Sequence, residues 1–358
     1  MAQIKLDLSK LPLRGVDEAQ EAGIVLTPSN PEKRKKPLMN NHPSQIKSVC
    51  VYGVGGVGGY IGGKMAHTVD NTPDVTHKIY FIARGEHLDV IQRRGIQVVT
   101  PEKTLTGIPT LATDNIDEIS TPDLYLLCVK SYDLDEAVAS ITPKVHERTL
   151  IMPLLNGADI YDRIRARLDT GIVLPACVYV GTHIEKPGVI HQSGGDGMIL
   201  SGKDPKYPRF SPDPVIGFFK EMGINFQWNK NSFPAIWGKY IFIAAFGLAT
   251  AHTGKTLGQI LQDDESKTMV ESIMMEIRAI AQSKGIRLPE NIIEASIEKA
   301  NNFPFDTKTS YQRDMETKGR LNEGDIYGGT IIRMGETLGI STPATKTIYT
   351  QIQQRLTG

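Results

Sequence analysis

A short apolar run, Ser48–Tyr52, leads without interruption into Gly53-Val54-Gly55-Gly56-Val57-Gly58 and then into helix-compatible residues from Val57 to His67. No other feature restricts the chain so far. In a strand, GxGxxG, helix order the first glycine permits a tight turn and the second lets the backbone approach a pyrophosphate. The third lets helix and strand pack closely, while the helix amides face the anion. A Rossmann-type dinucleotide site is therefore expected, with Gly53, Gly55, Gly56, Val57 and Gly58 at the cofactor.

Downstream, β-branched runs alternate with helical segments. Strands are expected at 48–52, 78–83, 124–129, 150–154 and 173–180, and helices at 57–67, 86–93, 134–141 and 159–167. Such alternation predicts βαβ units around a parallel sheet. Shorter runs near 189–192, 198–201 and 224–227 are expected to extend it antiparallel, because the gaps between them look too short for helical crossovers. Ligands of open α/β sheets bind beyond the carboxyl ends of the strands. Three such ends carry candidates: Phe81-Ile82-Ala83-Arg84-Gly85, Val129-Lys130-Ser131 and Leu155-Asn156-Gly157. An acidic residue after the second strand would bond the ribose of NAD, whereas Arg84 there favours the extra phosphate of NADP. The plainer alternatives are a surface arginine, a solvated lysine and an Asn-Gly turn.

After Pro212 the strand signals give way to helical periodicity at 233–251, 265–284, 289–299, 322–338 and 342–354, with Pro289 and Pro343 placed for first turns. The 358 residues thus divide into an extension (1–46), a Rossmann domain (47–211) and a mostly α-helical domain (212–358). The extension, with Pro28, Pro31, Pro37, Pro43 and the run Lys33-Arg34-Lys35-Lys36, buries too little apolar surface to offset its ordering entropy and is expected to be flexible. Lys plus Arg and Asp plus Glu each number 40, so no net field recruits nucleic acid or an anionic membrane, and small molecules are the expected partners. Cys50, Cys128 and Cys177 lie in apolar runs without paired or metal-ligand spacing and read as buried thiols. His183, His191 and His252 also lack ligand spacing, and no metal is expected. No apolar stretch reaches the ~20 residues of a membrane span, and the N-terminus lacks a secretory core, so the cytoplasm is the expected compartment.

Taken together these pieces resemble the ketopantoate reductase (2-dehydropantoate 2-reductase) family from about Ile46 to the C-terminus. The carrying elements are the GxGxxG, Ala83-Arg84-Gly85 with Gly95, Val129-Lys130, Leu155-Asn156-Gly157 and Pro187-Gly188-Val189-Ile190-His191. Further along they are Trp237-Gly238-Lys239, the stretch from Ser310 through Asp314 to Asn322-Glu323-Gly324-Asp325-Ile326-Tyr327-Gly328-Gly329, and Leu338-Gly339-Ile340-Ser341-Thr342-Pro343. The resemblance implies a Rossmann domain followed by a helical domain like that of 6-phosphogluconate dehydrogenase, with the active site in the cleft between them. It implies reduction of a 2-oxo acid by NADPH, ketopantoate to pantoate being the family reaction, and a homodimer. Lys239 would supply the proton, Glu323 would bond the substrate hydroxyl or orient the lysine, Asn156 would anchor substrate, lysine or cofactor, and Ser310 would contact the substrate carboxylate. An ammonium in a partly desolvated cleft suits that role, since its pKa falls and it stabilises a developing alkoxide before giving up its proton.

Where the family often carries asparagine after the lysine, this chain has Ile243, Gly247 and Leu257, which cannot donate to a hydroxyl or carboxylate. The segment between Asp314 and Glu323 is one residue longer than usual. Two further readings stay open at this point: another dehydrogenase of the same layout, acting on an opine or a 3-hydroxy acid, and a non-catalytic NADP-binding regulator.

Overall fold

β1 (Ser48–Tyr52) sends Val49 and Val51 to one core and Cys50 to another, and all three are fully buried. A strand buried on both faces belongs inside a parallel sheet covered on both sides. The computed structural model describes residues 45–316 and 321–357; the extension, except its last two residues, and residues 317–320 of the longer segment before Glu323 lie outside the described residues.

The chain continues through α1 (Gly56–Asn71), β2 (Lys78–Ile82), α2 (Gly85–Arg94), β3 (Ile96–Val99), β4 (Thr104–Gly107), β5 (Leu111–Thr113), β6 (Leu124–Leu127), α3 (Leu134–Ile141), β7 (Leu150–Pro153), α4 (Ile160–Arg165) and β8 (Ile172–Val173). β5-β2-β1-β6-β7-β8 form one six-stranded sheet in which every pair is parallel. This is the doubly wound order, and its switch point lies beside β1, where the glycine loop begins.

β9 (Ala176–Lys186), β10 (Val189–Gly202), α5 (Asp213–Glu221) and β11 (Phe226–Asn229) follow. The expectation that these strands extend the first sheet antiparallel is corrected. They form a second, five-stranded sheet with β3 and β4, in which β10 is antiparallel to β9 but parallel to β3 and to β11, the last through α5 as a helical crossover. The strand expected at 173–180 is two strands in different sheets, parted at Leu174-Pro175. Proline has no N–H for a ladder, and the Pro175 carbonyl accepts instead from Ser232 Oγ at 2.7 Å and the Gly202 amide at 3.0 Å. Because β11 pairs with β10, residues 213–229 stand with the α/β half rather than with the helical part expected from residue 212. α1 lies between the sheets: a Cβ on Gly62 would reach Phe81 at 2.7 Å, and one on Gly59 would reach Ile190 at 2.6 Å.

The helical part comprises α6 (Phe233–Thr253), α7 (Leu257–Gln262), α8 (Asp264–Ser283), α9 (Ile292–Asn301), α10 (Ser310–Glu316), a π-helical segment Asp325–Gly329, α11 (Thr330–Leu338) and α12 (Pro343–Thr357). Pro289 precedes α9 rather than sitting in its first turn, and the helix expected at 322–338 opens with the π segment. Its geometry is held by Tyr240 Oη, which donates to the Ile326 carbonyl at 2.6 Å, and by the paired Arg333–Asp325 bonds at 2.7 and 2.8 Å. α6 is 21 residues long and apolar enough to cross a bilayer by length and composition, which corrects the expectation that no such stretch exists; the stretch is 67% buried inside the protein. One hydrophobic core joins the Cys50 face of the first sheet to Trp237, Ile241 and Ala245 of α6. That continuity holds α6, and Lys239 on it, against the carboxyl ends of the strands.

Candidate active site

At the cofactor side, Gly53 has φ +92, and a Cβ there would meet Val129 Cγ1 at 2.9 Å. A Cβ on Gly58 would overlap the Gly53 carbonyl oxygen, so only glycine lets α1 start this close to β1. Gly55 opens onto space with no atom within 4 Å of such a Cβ. Gly56 and Val57 begin α1, whose first turn has no side-chain cap and no acidic residue. Uncapped amides at the N-terminus of a long helix bind anions, and the cradle fits a dinucleotide pyrophosphate. The Gly53 amide donates to the Ile82 carbonyl at 3.0 Å, which ties the loop to the end of β2, two residues before Arg84. The Arg84 side chain is 78% exposed and pairs with Asp133 at 2.9 Å.

Lys239, in the second turn of α6, sends Nζ to Asn156 Oδ1 at 2.8 Å and to the Val178 carbonyl of β9 at 2.8 Å. These bonds gather a β7 loop, the second sheet and the helical part at one ammonium. Nζ also lies 5.8 Å from the Tyr179 ring centroid. Burial pushes the Lys239 pKa down to about 8, and nearby Lys299 adds to the fall against the opposing pull of Cys177 and Glu323. No described carboxylate forms an ion pair with it, and its third N–H has no protein acceptor among the described residues. The Tyr327 hydroxyl is buried nearby, and its pKa is raised, first by burial and then by Glu323, against the opposing effect of Ser310 and Asn156. Ser310 stands at the exposed start of α10.

Glu323 lies elsewhere than as the direct partner of Lys239. It is 5% exposed and accepts from Lys130 Nζ at 2.6 Å and from the Ser131 amide at 3.2 Å. Lys130 also approaches Asp314 at 3.4 Å. Burial alone would lower the Lys130 pKa, but Glu323 and Asp314 outweigh it and the net shift is upward. The pair ties the β6 loop to the π segment across 193 residues of sequence. Since removing one member of a largely buried pair strands the other charge, Lys130→Met is expected to destabilise the protein by roughly 2 kcal/mol, below the full buried-pair value because Lys130 keeps access to water. Thermal denaturation of Lys130→Met beside Lys130→Met/Glu323→Gln checks this, and the double variant should recover most of the loss.

The sequence reading thus brought Lys239 and Asn156 together and placed the glycine loop and Arg84 at adjacent strand ends. It missed the Lys130–Glu323 pairing, which joins residues too distant in sequence to be matched by eye, and the hydroxyl of Tyr327 beside Asn156. Tyr327 stood within a quoted motif, but only the fold turns it inward.

Residues 49–205 match the family model described as ketopantoate reductase PanE/ApbA, and residues 231–356 match its C-terminal counterpart. An oxidoreductase of Bacillus subtilis, YkpB, described as uncharacterised, is 26% identical over 85% of this chain and 97% of its own length. The crystal structure of 2-dehydropantoate 2-reductase from Porphyromonas gingivalis W83 superposes with a TM-score of 0.73 at 29% identity, covering 86% of this chain and 99% of that one. The ternary structure of D-mandelate dehydrogenase with NADH and anilino(oxo)acetate has a TM-score of 0.76 at 18% identity over 86% and 98% of the two chains, and so shares the fold. With both halves matched in order on one fold, the chain belongs to the ketopantoate reductase family, oxidoreductases that use NAD(P)H on a keto acid.

Proposed function

We propose that this protein reduces a 2-oxo acid to the 2-hydroxy acid with NADPH and Lys239 as proton donor, ketopantoate being the substrate that the family relation favours. The observation that carries the reading is the state of Lys239. An ammonium held by two neutral acceptors, desolvated, without a carboxylate partner and with one N–H free, is built to meet an oxygen that gains negative charge. When bound, the nicotinamide supplies the hydride. Lys239 then holds a hydrogen bond to the substrate carbonyl oxygen, stabilises the alkoxide as the C=O electron pair moves onto oxygen, and transfers its proton there; solvent restores the proton afterwards. A cofactor-binding regulator would have no use for so poised an acid.

Because the D-mandelate dehydrogenase neighbour is described with NADH, the choice of NADPH rests on this chain's own Arg84. Its exposed guanidinium at the end of β2 can leave Asp133 for a 2′-phosphate. Arg84→Ala is expected to reduce the ratio of kcat/KM for NADPH to that for NADH about tenfold, the scale of one charge-assisted contact; an unchanged ratio would assign the phosphate to another residue. The reductase reading is tested by cofactor oxidation at 340 nm with ketopantoate and other 2-oxo acids, the product identified as the 2-hydroxy acid. Tight NADPH binding without turnover of any 2-oxo acid would favour the regulator.

A further inference from the structure

Aromatic side chains stand beside Lys239, and a second ammonium lies over them. Lys299 Nζ lies 5.4 Å from the Tyr179 ring centroid and 5.2 Å from that of Phe242. Tyr179 is the ring that Lys239 also approaches, so both ammonium groups lie within 6 Å of one aromatic centroid. No carboxylate among the described residues pairs with Lys299, and burial against these rings lowers its pKa. The Lys299 residue is exposed, and an ammonium held over aromatic faces with no carboxylate partner is a seat for an anion.

Phe242 and Ile243 follow Lys239 by three and four residues and so share its side of α6. Both remain half-buried, while residues 244–250 are buried throughout. Phe242 stacks on Phe303, at 5.8 Å and 25°, which is itself 41% exposed. One turn beyond Ile243, Gly247 presents no side chain and faces Tyr311 and Tyr327, which a Cβ there would meet at 3.8 and 3.9 Å. Two of the nearby polar side chains are engaged, Asn156 by Lys239 and Glu323 by Lys130 and the Ser131 amide, and the buried Tyr311 hydroxyl is directed away from Gly247, toward Gly324.

We infer that the preferred substrate is a 2-oxo acid with an unhydroxylated apolar side chain, seated on Phe242 and Ile243, with its carboxylate held by Lys299. This rests on the reductase reading and gives that site its specificity. A hydroxyl on the side chain would leave water for carbon. A site built to bond a hydroxyl rejects the analogue lacking it by about 10⁴-fold or more, whereas an apolar pocket disfavours an added hydroxyl only by about 10²-fold, so the two cases differ in sign.

Ketopantoate and 3,3-dimethyl-2-oxobutanoate differ only in that hydroxyl, and the test is their kcat/KM ratio with NADPH. The expected result is a ratio favouring 3,3-dimethyl-2-oxobutanoate by about 10-fold to 10²-fold. Lys299→Met should raise its KM about tenfold with kcat nearly unchanged and NADPH affinity intact, and Lys299→Arg should restore it. Preference for ketopantoate, or equal use of the two, overturns the inference while leaving the reductase standing. An unmoved KM in Lys299→Met overturns the carboxylate seat. Turnover of some other 2-oxo acid but of neither compound overturns this inference alone, whereas NADPH binding without turnover of any 2-oxo acid overturns the reductase reading, and this inference with it.

Discussion

Lys239→Ala is expected to lower kcat for 2-oxo acid reduction by about 10²-fold to 10⁴-fold, the usual weight of a positioned general acid, and to leave NADPH affinity unchanged. The direction follows from where Nζ stands. Its bonds run to Asn156 and the Val178 carbonyl and none to the glycine loop, so its loss removes the proton donor without touching the pyrophosphate cradle. The pH profile of the wild-type protein is the companion measurement. Burial places the Lys239 pKa at about 8, so the ammonium form that donates is dominant below that pH and is lost above it. kcat/KM should therefore be flat on the acid side of about 8 and fall about tenfold per pH unit beyond it. A profile flat to pH 10, or a variant turning over at the original rate, would take the proton away from Lys239.

Gly58→Ala should reduce NADPH affinity by about 10-fold to 10²-fold and lower the melting temperature as well. The added carbon would overlap the Gly53 carbonyl and reach Cys128 Cβ at 2.9 Å, and both neighbours are pinned between parallel strands. Overpacking of this kind costs about 1–3 kcal/mol, which translates into that range of affinity if the loop absorbs it. Gly55→Ala supplies the contrast. Its Cβ enters open space where the pyrophosphate would pass, so fluorescence titration should show weaker NADPH binding at an unchanged melting temperature. Equal melting temperatures for both variants would mean that α1 can shift, and that Gly58 is not the packing limit.

The same glycines show why the first half of the fold was legible. β1, its loop and α1 are dictated by local rules, and so are the strand ends that place Arg84 and Asn156. β10 was not legible as one strand, because Gly194, Gly195 and Gly197 read as breaks. In the structure they sit at irregularities of the β9–β10 pairing, Gly195 and Gly197 with φ of +71 and +76, and the strand continues through them. Nor does sequence say which sheet a strand joins: β3, β10 and β11 are brought together by long-range pairing alone. In the site, Asn156 stood out by its place at the end of a strand, and Lys239 only through the family resemblance. Lys299 was not, since on α9 it looks like any surface lysine until the fold brings Tyr179 and Phe242 beneath it.

The central claim is hydride transfer to a 2-oxo acid at this cleft, and the most direct measurement is the fate of the label from NADPH dideuterated at nicotinamide C4. The account predicts one deuterium in each 2-hydroxy acid formed, on the carbon that bears the new hydroxyl, with none there when only the solvent is deuterated. Cofactor bound and recovered with its label intact, or a product labelled from solvent at that carbon, would contradict it.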